Sequence, residues 1–182
     1  GILTVISIGV VAWMTPDPEV SKLHEDTQAQ PSRMGEVLRD RQLLNLDFGI
    51  FALHAAQMAL FTALPFAMTQ LGLEKIQHWK VYLPSTIAGL VIMIPLIIIG
   101  ETRNKLKQVF ILGIACIAAA QIGLLFGMHS IWLITAYLVV YFIGFNVLEA
   151  SLPSMVSKIA PADLKGTAMG VYNTMQSVGL FV

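Results

Sequence analysis

The residues best suited to chemistry in this sequence stand inside stretches that are otherwise apolar. Glu149 is the one charged residue of the run 108–157 and the only carboxylate deep in an apolar segment. A charged side chain at the centre of a bilayer costs about 2.5–3.5 kcal/mol on insertion scales. Glu149 is therefore expected to face a helix-bundle interior or a water-filled cavity. Asn146, three residues before it, and Pro153, four after, fall on the same helical face. One reading is a proton-accepting or cation-recognising site beside a substrate path. The other is a structural acid, bonded to a Ser, Asn or Tyr of a neighbouring helix. A second face carries His54, Gln57, Met58, Phe61 and Pro65 at three- and four-residue spacing. Mixed polar and aromatic groups in that arrangement suit the wall of a cavity for an amphiphilic solute. Ordinary hydrogen bonding between helices accounts for the His and Gln equally well. No second His, Cys or acid stands one turn from His54, so no metal site is expected. The metalloprotease, phosphate-loop and serine-nucleophile patterns are missing from the sequence. The chain reads as no enzyme, with no cofactor.

The elements that position these residues follow from composition. Of 182 residues, 56% are hydrophobic and 12% charged, and the mean hydropathy is +0.74. Soluble domains carry about a quarter charged residues, so this chain cannot coat a globular surface. Disorder needs the opposite composition. Eleven basic residues balance eleven acidic ones, which leaves no surplus for a nucleic-acid backbone. The single cysteine, Cys116, sits in an apolar run and reads as a small buried residue. The solvent for most of the chain is the lipid bilayer.

About 20 apolar residues cross a 30 Å hydrocarbon core as a helix. On that measure residues 1–14 end one span, and 44–71, apolar apart from Asp47, form the next. Full spans follow at 81–100, 107–127 and 131–157, and 163–182 begins another. The connection 15–43 is polar and proline-containing. Its stretch 32–44 predicts an amphipathic helix, capped by Ser32, with Met34, Val37, Leu38 and Leu44 on one side. Since the first and last residues lie in apolar runs, the chain is expected to be a fragment. Continuous runs such as 90–99 lack the two-residue alternation of membrane strands, so the class is an all-α membrane protein. Lys22, Arg33, Arg39, Arg41, Arg103, Lys105, Lys107, Lys158 and Lys165 lie in the first, third and fifth connections, against Lys75 and Lys80 in the second. The positive-inside rule then places loops 15–43, 100–107 and 158–166 in the cytoplasm. Trp79, Tyr82 and Trp132 fall at the opposite ends of spans, as in an aromatic belt. Gly123-x-x-x-Gly127 and Gly166-x-x-x-Gly170 can admit close helix contacts, and Pro65, Pro84, Pro95 and Pro153 can bend helices.

The stretch from Ala160 through Pro161, Asp163, Lys165, Gly166, Gly170 and Tyr172 to Asn173, followed by Gly179, resembles the loop between the tenth and eleventh helices of major facilitator superfamily transporters. The likeness extends over the chain if it runs from the end of helix 6 to the start of helix 11, with 15–43 as the central loop. The family's signature loop has a weaker copy between helices eight and nine. Gly100, Glu101, Arg103, Asn104 and Lys105 occupy it here. Asn104 stands where the family has an acid, which removes an ionic latch at that position. Glu101 can substitute by pairing with Arg103 or Lys105, or the charges merely set orientation. The resemblance implies alternating access across a bacterial inner membrane, with a small-molecule substrate and protons as partners and with the N-terminal six-helix half lying outside this sequence. It points to an antiporter of the drug–proton group, for efflux of small amphiphilic compounds. A non-transporting sensor or scaffold that keeps the fold is the alternative. On the family's plan His54, Gln57, Phe61, Asn146, Glu149, Tyr172, Asn173 and Gln176 are candidate lining residues.

Overall fold

The computed structural model describes residues 2–14 and 29–182, with side chains from Thr4 onward. The helices are α1 (Ile2–Met14), α2 (Met34–Val37), α3 (Arg41–Gln70), α4 (Trp79–Thr102), α5 (Leu106–Gly127), α6 (Ile131–Ile159) and α7 (Lys165–Phe181). Short 3-10 turns at Pro31–Arg33, Lys75–Gln77 and Ala162–Leu164 lead into α2, α4 and α7. Four helices, α3 to α6, are long and apolar enough to cross a membrane. At 1.5 Å per residue they rise about 33–45 Å. Their up-and-down order gathers the starts of α3, α5 and α7 with the ends of α4 and α6 at one end of the bundle. Arg41, Arg103, Lys105, Lys107, Lys158 and Lys165 all lie there, and we call it the basic end.

Helix ends are set by local chemistry. Asp40 caps α3, its carboxylate accepting from the backbone N–H of Gln42 at 2.8 Å and of Leu43 at 3.3 Å. Gly72 follows α3 with φ of 83°, while the Leu73 N–H returns to the Met68 carbonyl at 3.0 Å. This left-handed closure is the Schellman pattern. Asn104 does the same for α4, with φ of 55° and the Lys105 N–H bonded to the Gly100 carbonyl at 2.7 Å. Asn tolerates that conformation better than other non-glycine residues. The residue at the acid's position in the signature loop thus closes a helix. Among the described residues, no ion pair joins Glu101 to Arg103 or Lys105.

The expected amphipathic helix over 32–44 is broken. The helical turn ends at Val37, and Asp40 in extended conformation starts α3. Ser32 makes no cap; it lies inside the 3-10 turn. Only Val37 of the four apolar residues is buried, whereas Met34, Leu38 and Leu44 are exposed. Residues 15–28 of this connection lie outside the described residues.

Helix α6 is the hub, touching α3, α4, α5 and α7, while α3 packs chiefly along α7. The core falls into two clusters. One joins Leu43, Ile50, Leu152, Val156 and Tyr172 near the basic end. The other joins Leu64, Met68, Leu124, Leu138 and Phe142 toward the far end. Small residues allow these contacts. A Cβ on Gly89 of α4 would stand 2.6 Å from the Phe142 Cβ of α6, and one on Gly144 would meet the Gly113 carbonyl of α5. The two glycine pairs flagged in the sequence behave differently. Gly123 and Gly127 seat the Tyr137 ring rather than another backbone, and Gly170 faces open space. All four prolines lie within continuous helices. Trp79 and Trp132 are exposed, but Tyr82 turns inward onto Phe61, with ring centroids 5.4 Å apart.

The described end of the first connection is fastened to the loop before α7. Arg33 donates to both Glu36 oxygens, at 2.8 and 2.7 Å, and also pairs with Asp163. The Gln30 N–H donates to Thr167 Oγ1 at 2.8 Å, and the Gln30 amide to the Asp163 carbonyl at 3.2 Å. Hydrogen bonds from the Arg33 guanidinium hold the Glu36 and Asp163 carboxyls below the usual carboxylate range. A depressed pKa contributes stability above the ordinary value, and that contribution is lost as pH falls through the lowered one. Amide exchange at Gln30, corrected for the intrinsic rate, is therefore expected to lose protection in acid. Asp163→Asn is expected to do the same at neutral pH. Unchanged protection in that variant would show that the pair does not hold the segment.

Candidate functional site

One stripe of α3 carries Leu43, Asp47, Ile50, His54, Gln57 and Phe61, spaced three and four residues apart along the helix. His54 is 4% exposed, and its Nδ1 lies 3.1 Å from the Ile50 carbonyl one turn back. A carbonyl only accepts, so Nδ1 holds the hydrogen and Nε2 presents its lone pair to the bundle interior when the ring is neutral. The Phe145 ring of α6 packs edge-on against the imidazole, with centroids 5.7 Å apart. From α7, the Gln176 amide nitrogen stands 3.1 Å from His54 Nε2 and donates to Glu149 Oε1 of α6 at 3.2 Å. Glu149 Oε2 is 3.7 Å from His54 Nε2. Three helices thus meet in one polar cluster, about 15–20 Å from the basic end by helix rise.

This geometry constrains what the cluster can do. A neutral His54 and an ionised Glu149 are both acceptors, and the Gln176 NH2 has one hydrogen for each. Placing a proton on His54 Nε2 turns it into a donor facing a donor. The amide must then rotate, and Glu149 Oε2 lies within a small movement of the new N–H. One added proton therefore exchanges one hydrogen-bond pattern for another. The Glu149 side chain is 38% exposed, but its Oε2 is buried and has no hydrogen-bond partner among the described residues, whereas His54 is enclosed.

The remaining sequence candidates fall at different distances from this cluster. Asn146, one turn before Glu149, is half-buried with its Nδ2 unpartnered. Tyr172, one turn before Gln176, is 3% exposed, and its hydroxyl has no partner. Gln57 is half-buried farther along the α3 stripe. Phe61 belongs to an aromatic group with Tyr82 and Phe142. Asn173 is exposed on another face of α7. Of the loop motif, Pro161 precedes the 3-10 turn and Lys165 begins α7.

Two residues to which the sequence reading gave no place in the site belong here. Asp47 is 3% exposed, and both of its oxygens lack partners. Glu149 is therefore not the only carboxylate inside the bundle. Asp47 lies about 9 Å into α3, and Tyr172 is within electrostatic reach of both Asp47 and Glu149. The signal was its seven-residue spacing from His54, which puts both on one face. Gly179, one turn beyond Gln176, is the other. It sits against the Phe51 carbonyl, and a Cβ there would also meet the His54 Cβ at 3.1 Å. This close approach of α7 to α3 brings the Gln176 amide within reach of the imidazole.

Four membrane-length helices, the central α6 among them, with a polar cluster where α3, α6 and α7 meet, define a multi-pass membrane protein. The Major Facilitator Superfamily pattern matches residues 1–182, and the chain belongs to that family. It is 36% identical over 181 residues to the inner membrane transport protein YajR of Escherichia coli (strain K12), covering 100% of this chain and 40% of the relative. It is 24% identical over 180 residues to an uncharacterized transporter of Buchnera aphidicola subsp. Acyrthosiphon pisum (strain APS), covering 98% and 46%. An uncharacterized transporter of Buchnera aphidicola subsp. Baizongia pistaciae (strain Bp) is 27% identical over 160 residues, covering 84% and 39%. The chain spans less than half the length of each of these relatives.

The contact at Gly179 yields a paired prediction. Gly170→Ala adds a methyl into open space and is expected to be neutral or slightly stabilising. Gly179→Ala drives the same methyl into the Phe51 carbonyl and is expected to cost about 1–3 kcal/mol. Thermal unfolding of both variants in detergent makes the comparison. Equal midpoints would show that α7 and α3 do not need this approach.

Proposed function

We propose that the complete protein is a non-enzymatic secondary transporter of the bacterial inner membrane, exporting small amphiphilic compounds in exchange for protons by alternating access. In such transporters the substrate site lies near the bilayer midplane, between halves that rock against each other. The observation that carries this reading is the His54–Gln176–Glu149 cluster. It joins three helices deep in the bundle through hydrogen bonds that a single proton rearranges. A site of that kind links protonation to helix position, which a proton-driven exchanger requires. The enclosed aromatic group of Phe61, Tyr82 and Phe142 beside the polar stripe favours solutes with an apolar body and a polar tip. Asp47 and Tyr172 extend the buried polar groups toward the basic end, which the positive-inside rule assigns to the cytoplasm. A proton received at Glu149 would leave along that line.

Reconstituted complete protein, with an imposed pH gradient and a panel of lipophilic aromatic compounds, tests the proposal. Gradient-driven efflux is expected, and Glu149→Gln is expected to lower it about tenfold or more, as removing an essential proton acceptor does. Membrane insertion should be unchanged. Gradient-independent flux would remove proton coupling, and the absence of flux across the whole panel would favour a scaffold. An unaltered rate and pH dependence in Glu149→Gln would make the acid structural. Cysteine labelling in intact cells checks the orientation: residues near Arg103 and Lys158 should be unreachable from outside.

A further inference from the structure

Most serine and threonine hydroxyls in these helices follow one rule, and Ser151 departs from it while buried. Thr62, Thr69, Ser85, Thr86, Thr135 and Thr174 each donate to the backbone carbonyl one turn back, at 2.7–2.9 Å. Ser151 of α6 is 9% exposed, and its Oγ has no partner among the described residues. It lines a groove of about 480 Å³ between α4, α5 and α6 that leads to the basic end. Along the same face of α6 stand Ser154, one turn nearer that end, and Lys158, two turns nearer. Lys107 of α5 faces the mouth, together with Glu101 of α4. Deeper in, the walls are Ile97, Phe110, Ile111 and Ile114. A cationic mouth, a hydroxyl ladder and an apolar floor follow one another in that order.

We infer that this groove binds an anionic phospholipid. Its phosphate would meet Lys107 and Lys158, the ester region would meet Ser154 and Ser151, and an acyl chain would lie on the isoleucines. The mouth holds two ammonium groups against one carboxylate, so it attracts a single negative charge. Basic pockets between membrane helices recognise lipid headgroups on this principle. The unpartnered Ser151 hydroxyl supplies a donor where an ester carbonyl arrives, and burial without such an acceptor is costly. The groove lies on the opposite side of α6 from Glu149, so it is separate from the polar cluster.

Native mass spectrometry of the complete protein in detergent tests this, with phosphatidylglycerol and phosphatidylcholine of matched chains as probes. Phosphatidylglycerol should be retained in preference. Lys107→Ala with Lys158→Ala should weaken that preference about tenfold or more, at roughly one Lys contact each. Arg103→Ala with Lys105→Ala removes the same charge outside the groove and should change it by no more than about twofold. Ser151→Ala should weaken both lipids but leave an ether-linked phosphatidylglycerol, which has no ester carbonyl, unaffected. Equal retention of the two lipids, or a preference that survives loss of both lysines, would overturn the inference. So would an equal loss in the Arg103 and Lys105 variant, which would reduce the effect to general surface charge. Displacement of the lipid by glycerol phosphate at equal concentration would make it a free-phosphate site instead.

Discussion

The constraint on which this structure rests is the lack of water in the hydrocarbon core. Every buried polar group there must find its partner inside the protein. Helices satisfy the backbone, and most hydroxyls satisfy themselves by bonding back one turn. What is left is a short set of groups that do neither. His54, Glu149 and Gln176 bond across three helices and leave only Glu149 Oε2 of that cluster unpartnered. Among the described residues, Asp47, Asn146, Ser151 and the hydroxyls of Tyr82, Tyr141 and Tyr172 also keep unpartnered atoms. In a solvent that penalises such atoms, each of them is a costly feature of the fold.

Association of these helices gains little from hydrophobic burial, because lipid is as apolar as leucine. Shape must supply the contact. This is why glycines matter more here than the large apolar residues, many of which point outward, including Ile87, Val91 and Ile98 of α4. Gly179 shows how shape becomes chemistry. It lets α7 lie on the Phe51 carbonyl, and one turn away that separation sets the Gln176 amide at 3.1 Å from the imidazole.

The all-helical class and its membrane-length helices were legible because uninterrupted apolar runs admit few alternatives. The break near Asp40 was not. Met34, Val37, Leu38 and Leu44 fit a single helical face, and periodicity carries no information about a competing cap. Only Asp40, three residues before buried Leu43, signalled a new start. Asp47 stood only as the exception in an apolar run, and its burial follows from α3 beginning at Arg41 and packing along α7. The glycine pairs misled because spacing alone does not say which face meets a neighbour. Asn104 read as a lost acid, but its backbone angle gives it a separate role in ending α4.

The arrangement around α6 joins these observations. Glu149 and Ser151 are two residues apart, which turns them about 200° around the helix axis. One faces α3 and α7, the other α4 and α5. A helix with a hydrogen-bonded polar cluster on one side and an open groove on the other cannot change one environment in isolation. Rotation of α6 that brings Glu149 Oε2 from 3.7 Å to hydrogen-bonding distance of His54 also turns Ser151 and Lys158 relative to Lys107. Because Gly144, two turns before Ser151, holds α5 tightly against α6 on the groove side, such a rotation must carry α5 with it or open the groove. Packed interfaces favour discrete rearrangements over continuous deformation, so the groove's shape and the cluster's hydrogen bonds belong to the same conformational state.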